Sequence, residues 1–253
     1  MASPSDRTQR AERAEQMRKE REKADRKQRN LISVAIVVVV VALIAVGAWA
    51  VSTAGGDGDK PVGPLVTPAH TNASYGFDYS AADAGGTAGT DPVRVVLYED
   101  FQCPICKSFE EQNGAFLDDL VKKGEITIEY RMFAFLDGQS STEYSTRSAS
   151  AAMAVLDKGG VAAFKKFHDL LYANQPPEGG DGLSDVTLID LAKQAGVTGI
   201  DADVKDQTYA PWVRKAKAAA FDDGHKGTPT ILIEGKSITP TQADIRAAIA
   251  AAK

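Results

Sequence analysis

Cysteine is almost absent from this chain. Its 253 residues hold two, Cys103 and Cys106, three positions apart. A small exported domain held together by disulfides carries several cysteines at wide spacing, so this pair is not a disulfide framework. Histidine is equally sparse: His70, His168 and His225 form no spacing of the kind that binds metal. Basic stripes are missing too. Ten Lys/Arg and six Asp/Glu in residues 1–30 give that segment a net charge of +4. Residues after 51 carry 19 basic and 28 acidic side chains, a net of −9. An acidic globular part without a basic face excludes nucleic-acid binding as the main activity.

One long stretch lacks charge altogether. Leu31–Val51 (LISVAIVVVVVALIAVGAWAV) is apolar over the roughly 20 residues needed to cross a bilayer. Arg18, Lys19, Arg21, Lys23, Arg26, Lys27 and Arg29 precede it, and only Lys60 lies close behind. The positive-inside rule therefore places a charged tail, 1–30, in the cytoplasm, a single transmembrane helix at 31–51, and the rest outside the cell membrane. A cleaved signal peptide is the competing reading, since Ala48-Trp49-Ala50 resembles a cleavage site. Both readings export the domain. No cysteine near the apolar run is available for lipid attachment.

Residues 52–91 are rich in glycine and proline at first and suit a flexible linker, with a short leading strand at 75–79 and a second flexible stretch at 81–91. The ordered domain is expected over 92–253. Val93–Tyr98 is a short apolar run typical of a buried strand. Pro104–Val121 has helical spacing, and Ile126–Met132 alternates as a strand does. A helical block follows over about 143–223, in pieces at 143–157, 161–173, 185–195 and 202–221. Ser184 and Asp201 are its expected N-caps and Gly196 a helix stop. Thr230–Glu234, a turn at Gly235 and Ser237–Ile238 form a hairpin, and Thr241–Ala252 closes the chain as a helix. The order is mixed α/β with a helical insertion.

The chemistry sits in Glu99-Asp100-Phe101-Gln102-Cys103-Pro104-Ile105-Cys106-Lys107. Proline suits the first turn of a helix, which puts Cys103 at the helix start and Cys106 one turn in. Residues so spaced lie about 5–6 Å apart, within reach of disulfide geometry after small adjustment. Unpaired N–H groups and positive potential at a helix start favour a thiolate, the attacking species. Cys103 is thus the expected nucleophile and Cys106 the resolving thiol. Three other readings remain open from the residues alone: half of a zinc site, a structural disulfide whose tiny loop stabilises little, and a copper-loading site that needs further ligands. Glu99 and Asp100 are candidates for pKa tuning or proton transfer at the cysteines, or else a strand end and a solvent-facing turn. Lys107 favours the thiolate if it is close, and is otherwise a surface residue.

VLYEDFQCPICK (96–107) together with GTPTILIEGK (227–236) resembles the DsbA-like branch of the thioredoxin superfamily, and the resemblance runs from about Val93 to the C-terminus. It implies a thioredoxin-like fold with an inserted helical subdomain. It also implies a redox-active Cys103–Cys106 pair and a cis peptide at Thr228–Pro229 beside it. An ordinary trans proline opening a strand is the alternative there. Ile105 stands where strong oxidants of that branch carry histidine, and Leu97 where some relatives carry a buried acid. The implied activity is a dithiol oxidase acting on cysteine-containing exported proteins. It would need no bound cofactor and would be reoxidised by a quinone-linked membrane partner. A reductase or isomerase on the same fold is the first alternative. A membrane-anchored binding or metal-delivery module, not an enzyme, is the second.

Overall fold

A computed structural model describes residues 63–253. The expected cytoplasmic tail, the transmembrane anchor and the first part of the linker, residues 1–62, lie outside the described residues. Among the described residues no helix is long and apolar enough to cross a membrane.

Five strands form one sheet in the order β1-β3-β2-β4-β5. They are β1 (Phe77–Tyr79), β2 (Val93–Glu99), β3 (Ile126–Met132), β4 (Thr230–Ile233) and β5 (Lys236–Ser237). β2 is the central strand, and all of it except Arg94 is buried. That explains why its sequence is a nearly continuous apolar run. It pairs parallel with β3, Val93 opposite Ile126 through Glu99 opposite Met132, and antiparallel with β4. β1 and β5 run antiparallel to their neighbours. A parallel β2–β3 pair requires a crossover, and helix α1 (Pro104–Lys122) supplies it.

The insertion contains α2 (Tyr144–Ala173), α3 (Asp185–Gln194), α4 (Asp201–Lys205) and α5 (Ala210–Asp222), and α6 (Gln242–Ala252) ends the chain. The expected division between 157 and 161 is present as a break inside α2, where Gly160 has φ 74° and ψ −178°. The expected single helix over 202–221 is two helices. Pro211, in the first turn of α5, has no N–H to continue a helix from α4, and Gln207 turns the chain at φ 50°. Ser184 caps α3 by accepting the Thr187 N–H, but α4 begins from Ile200, with Asp201 in its first turn rather than at its cap. Glu234 and Gly235 both have positive φ, the backbone that a tight two-residue hairpin between β4 and β5 demands.

Alternate residues of β2 serve two apolar layers. Val93, Val95 and Leu97 join the main core with Phe77, Tyr130, Phe164 and Ile245. Val96 and Tyr98 face a smaller cluster with Phe133 and Ala220. Residues 81–91 do not dangle between strands. Gly86 N–H donates to Ala81 O, Thr87 N–H donates to Lys122 O at the end of α1, and a Cβ on Gly86 would sit 2.0 Å from that carbonyl.

Candidate active site

β2 ends and α1 begins within four residues, and the turn between them is fixed by Asp100. Its carboxylate accepts the Gln102 N–H at 2.8 Å and the Leu136 N–H at 2.7 Å, and its carbonyl accepts the Cys103 N–H at 3.0 Å. Burial raises the Asp100 pKa to about 6 against the pull of those two N–H groups. The solvent-facing turn considered for Asp100 is therefore wrong: the residue is 2% exposed. The geometry makes it an organiser of the turn. Cys103 occupies the N-cap position with extended backbone, Pro104 follows in the first turn, and Cys106 lies one turn further in.

The two sulfurs live in different surroundings. Cys103 Sγ reaches the Thr228 carbonyl oxygen at 3.5 Å, across 125 residues of sequence. The Cys106 thiol holds the Cys103 thiolate by a hydrogen bond and so lowers the Cys103 pKa. Burial opposes this, and the Thr228 hydroxyl and the Cys106 and Ile105 N–H groups assist it. Cys106 is fully buried. Burial first, then the neighbouring Cys103 and the charge of Glu99, push its pKa well above that of a free thiol. One sulfur is poised as a thiolate and the other is held as a thiol. Both are free in this structure. The Thr228–Pro229 peptide bond is cis, and Thr230 Oγ1 ties the same loop by donating to Gly227 O at 2.8 Å. The two segments quoted for the resemblance, distant in sequence, thus meet at Cys103.

The insertion forms the back of this site, which sequence reasoning missed. Gln175, just past α2, donates from Nε2 to Phe101 O at 2.9 Å and to Cys103 O at 3.0 Å. Tyr172 OH donates to Asp100 O at 3.3 Å. Lys107 is bound at both ends of its reach, donating to Tyr172 O at 2.8 Å and pairing with Glu111 at 2.9 Å. Neither a polar glutamine after a helix nor a tyrosine within one announces such a role, because the contact depends on where the insertion folds back.

Glu99 is 1% exposed, not a solvent-facing strand end. Its Oε2 lies 2.9 Å from His168 Nε2, while Oε1 has no hydrogen-bond partner. His168 Nδ1 lies 3.0 Å from Asp169 Oδ1, which also accepts from Lys165 at 2.6 Å. Burial opposes a charge on His168, but the hydrogen bonds it donates to Asp169 and Glu99 and the charges of Glu99 and Glu110 outweigh it and raise the pKa to about 9. Glu110 is driven toward its neutral form, its pKa raised to about 8 by burial and by the charge of Glu99. Donor atoms of Glu99, Glu110 and His168 lie within 4.8 Å of one another. Direct Glu99–His168 pairing already uses the atoms an ion would need. Among the described residues no such donor cluster includes a cysteine. His225 packs against the Tyr98 ring, with 4.3 Å between ring centroids.

A helix-start thiolate, a buried partner thiol and a cis-proline loop on a thioredoxin-type sheet define the class: a thiol–disulfide oxidoreductase site. The family model described as thioredoxin matches residues 88–251, and the chain belongs to that family. Among solved structures it is similar to reduced DsbG of Mycobacterium tuberculosis, a disulfide bond oxidoreductase, at 30% identity over 71% of this chain and 88% of that one, with a TM-score of 0.60. Similarity to reduced DsbA of the same organism is 28% identity over 71% of this chain and all of the other, with a TM-score of 0.56. Disulfide bond formation protein D of Bacillus subtilis is 27% identical over 151 residues, 58% of this chain and 65% of that protein. The chain also matches the serine/threonine-protein kinase PknE of M. tuberculosis, but spans only 20% of its length. The family is therefore that of the DsbA-like thiol–disulfide oxidoreductases.

Proposed function

We propose that this chain is a membrane-anchored, extracytoplasmic dithiol oxidase that introduces disulfides into exported proteins. The observation that carries the reading is the asymmetry of the two sulfurs. Cys103 is stabilised as a thiolate at a helix start, and Cys106 is retained as a thiol behind it. In the oxidised protein a substrate thiolate attacks Cys103 Sγ, the Cys103–Cys106 bond breaks, and Cys106 leaves and takes up a proton. The second substrate thiolate then attacks the substrate sulfur of the mixed disulfide. That expels Cys103 as a thiolate and leaves an oxidised substrate and a reduced enzyme. A low-pKa leaving group makes the second step fast and the enzyme disulfide a strong oxidant.

The names of relatives support the direction, since one is a disulfide bond formation protein and another DsbA. The apolar run 31–51 with its basic N-terminal flank supports the anchor and the orientation. In each cycle two electrons stay on the cysteine pair, and a quinone-linked membrane partner is the reoxidant we assign. Glu99, whose charge acts on Cys106, is the acid we assign to the proton that Cys106 must gain or lose.

The test is trapping. In cells, full-length Cys106→Ala accumulates mixed disulfides between Cys103 and exported proteins, and these are seen as reducible high-mass species. Absence of such species, or their persistence in Cys103→Ala, would count against the proposal. A reduction potential near thioredoxin's, about −270 mV, would turn the assignment toward a reductase.

A further inference from the structure

Whatever the direction of exchange, one proton must pass between the Cys106 sulfur and solvent, and Cys106 is fully buried. The inference below rests on the exchange reaction just proposed and concerns that proton's route. The charge of Glu99 acts on the ionisation of Cys106, its Oε1 is buried without a hydrogen-bond partner, and its side chain is sealed from water. A buried acid that exchanges a proton with a thiol has to be recharged from elsewhere.

The contacts continue in one direction only. From Glu99 Oε2 the path goes 2.9 Å to His168 Nε2, through the ring, then 3.0 Å from Nδ1 to Asp169 Oδ1. The Asp169 side chain is 52% exposed, so the path ends in water. Asp169 also holds Lys165, which approaches Asp118 at 3.6 Å. Asp118 lies fourteen residues beyond Pro104 in α1, about 21 Å along the helix from the mouth where Cys103 sits. Substrate docked at Cys103 leaves that end uncovered. We propose that His168 is the positioning and proton-carrying residue of a relay Cys106–Glu99–His168–Asp169, which opens to solvent through the inserted helix rather than at the substrate face.

An imidazole suits the task because its two nitrogens accept and donate on opposite sides, and His is the side chain best able to do both near neutral pH. When Cys106 leaves as a thiolate, the Glu99 carboxylate passes on to the sulfur the Nε2 proton of charged His168. The imidazole is left neutral with its Nδ1 proton and regains its second proton from solvent at the Asp169 side. In the reverse direction every transfer is reversed, and no other reactant is consumed. The groups facing His168 come from every element packed on it: Glu99 from β2, Glu110 from α1, the Tyr130 ring from β3 at 5.1 Å, and Lys165, Asp169 and Tyr172 from α2. Their balance keeps the imidazole charged at neutral pH, so a proton is already in place for the departing thiolate.

The experiment mixes the full-length oxidised protein with a dithiol peptide, quenches with acid, and counts free Cys106 by mass across the pH range. Cys103 alkylation is followed in parallel, since it requires no proton at Cys106. His168→Gln should slow Cys106 release on the order of 10²-fold at neutral pH and remove the ionisation near 9 from the rate profile. Asp169→Asn should slow it as well and Asp169→Glu restore it, with Cys103 alkylation unchanged in all three. Because Asp169 is half exposed, its variants decide the matter even if His168→Gln fails to fold. Wild-type rate and pH profile in Asp169→Asn overturn the relay, as does uniform slowing with the profile intact. No exchange in the wild-type protein itself overturns the functional reading instead.

Discussion

Glu110→Gln should stabilise this protein, and by an amount that depends on pH. Glu110 sits one turn beyond Cys106 in α1, its Oε1 is buried without a partner, and the charge of Glu99 adds to the cost of ionising it. Its pKa rises from a model-peptide value of 4.5 to about 8. An acid that binds its proton more tightly when folded costs nothing below the unfolded pKa. It then lowers stability progressively as pH climbs toward the folded pKa. At about 1.36 kcal/mol per pKa unit, the penalty reaches about 3 kcal/mol at pH 7 and a ceiling of about 5 kcal/mol above pH 8. Glutamine keeps the shape and removes the charge. His168 adds a slope of the same sign: its raised pKa contributes stability that is complete below 6.5 and lost as pH rises through about 9. The charge of Glu110 is one cause of that raised pKa, so the difference between the two proteins reports Glu110 together with its coupling to His168. Urea unfolding of the reduced full-length protein, followed by circular dichroism at several pH values, should give curves that coincide near pH 4.5 and separate by about 3 kcal/mol at pH 7. A separation that does not change with pH would refute the reasoning, because it would mean that Glu110 is ionised in both states or neutral in both.

Iodoacetamide should label Cys103 in the native reduced protein with a midpoint below that of a free thiol and leave Cys106 untouched until the protein unfolds. Cys106→Ala should move the Cys103 midpoint upward, since the Cys106 thiol is the largest contributor to its lowering; peptide mapping across pH checks both. Trp212→Ala should cost about 3–5 kcal/mol in denaturant unfolding, because Trp212 is 2% exposed and packs edge-on against Tyr75 at 5.5 Å. The same variant should leave the Cys103 alkylation profile unchanged.

What the sequence made legible was whatever depends on near neighbours. Ile126–Met132 is a strand with the expected bounds, because an alternating pattern and two flanking turns leave little else for it to be. Cys103 and Pro104 place themselves at a helix start for the same local reason. The break near 160 falls at Gly160, in the gap expected between 157 and 161, whereas the expected helix over 202–221 runs through Pro211, the residue that ends its continuity. What remained hidden depends on the insertion returning to the sheet. Nothing within a few residues of His168 distinguishes it from an ordinary core histidine. Its partner, Glu99, is 69 residues away, and the pairing exists only once α2 has packed behind β2. Glu99 and Asp100 were singled out by position alone. The structure then separates them, with Asp100 turned into the backbone of its own loop and Glu99 into the protein interior.

That separation suggests why a helical block is inserted in this fold at all. A redox pair at the end of a strand needs its thiolate near solvent and its second thiol shielded, and a bare sheet edge with one crossover helix leaves the shielded side thin. Here α2 closes it. Phe101 and Tyr172 pack ring to ring at 5.4 Å over the turn, Gln175 fixes the carbonyls of Phe101 and Cys103, and His168 meets Glu99 beneath. The block therefore adds to the burial that raises the Cys106 pKa, and it brings His168 to pair with Glu99. Both sulfurs are tuned from the same side. A change at Gln175, just past α2, should then alter the reactivity of Cys103, 72 residues earlier, although it touches only that residue's carbonyl.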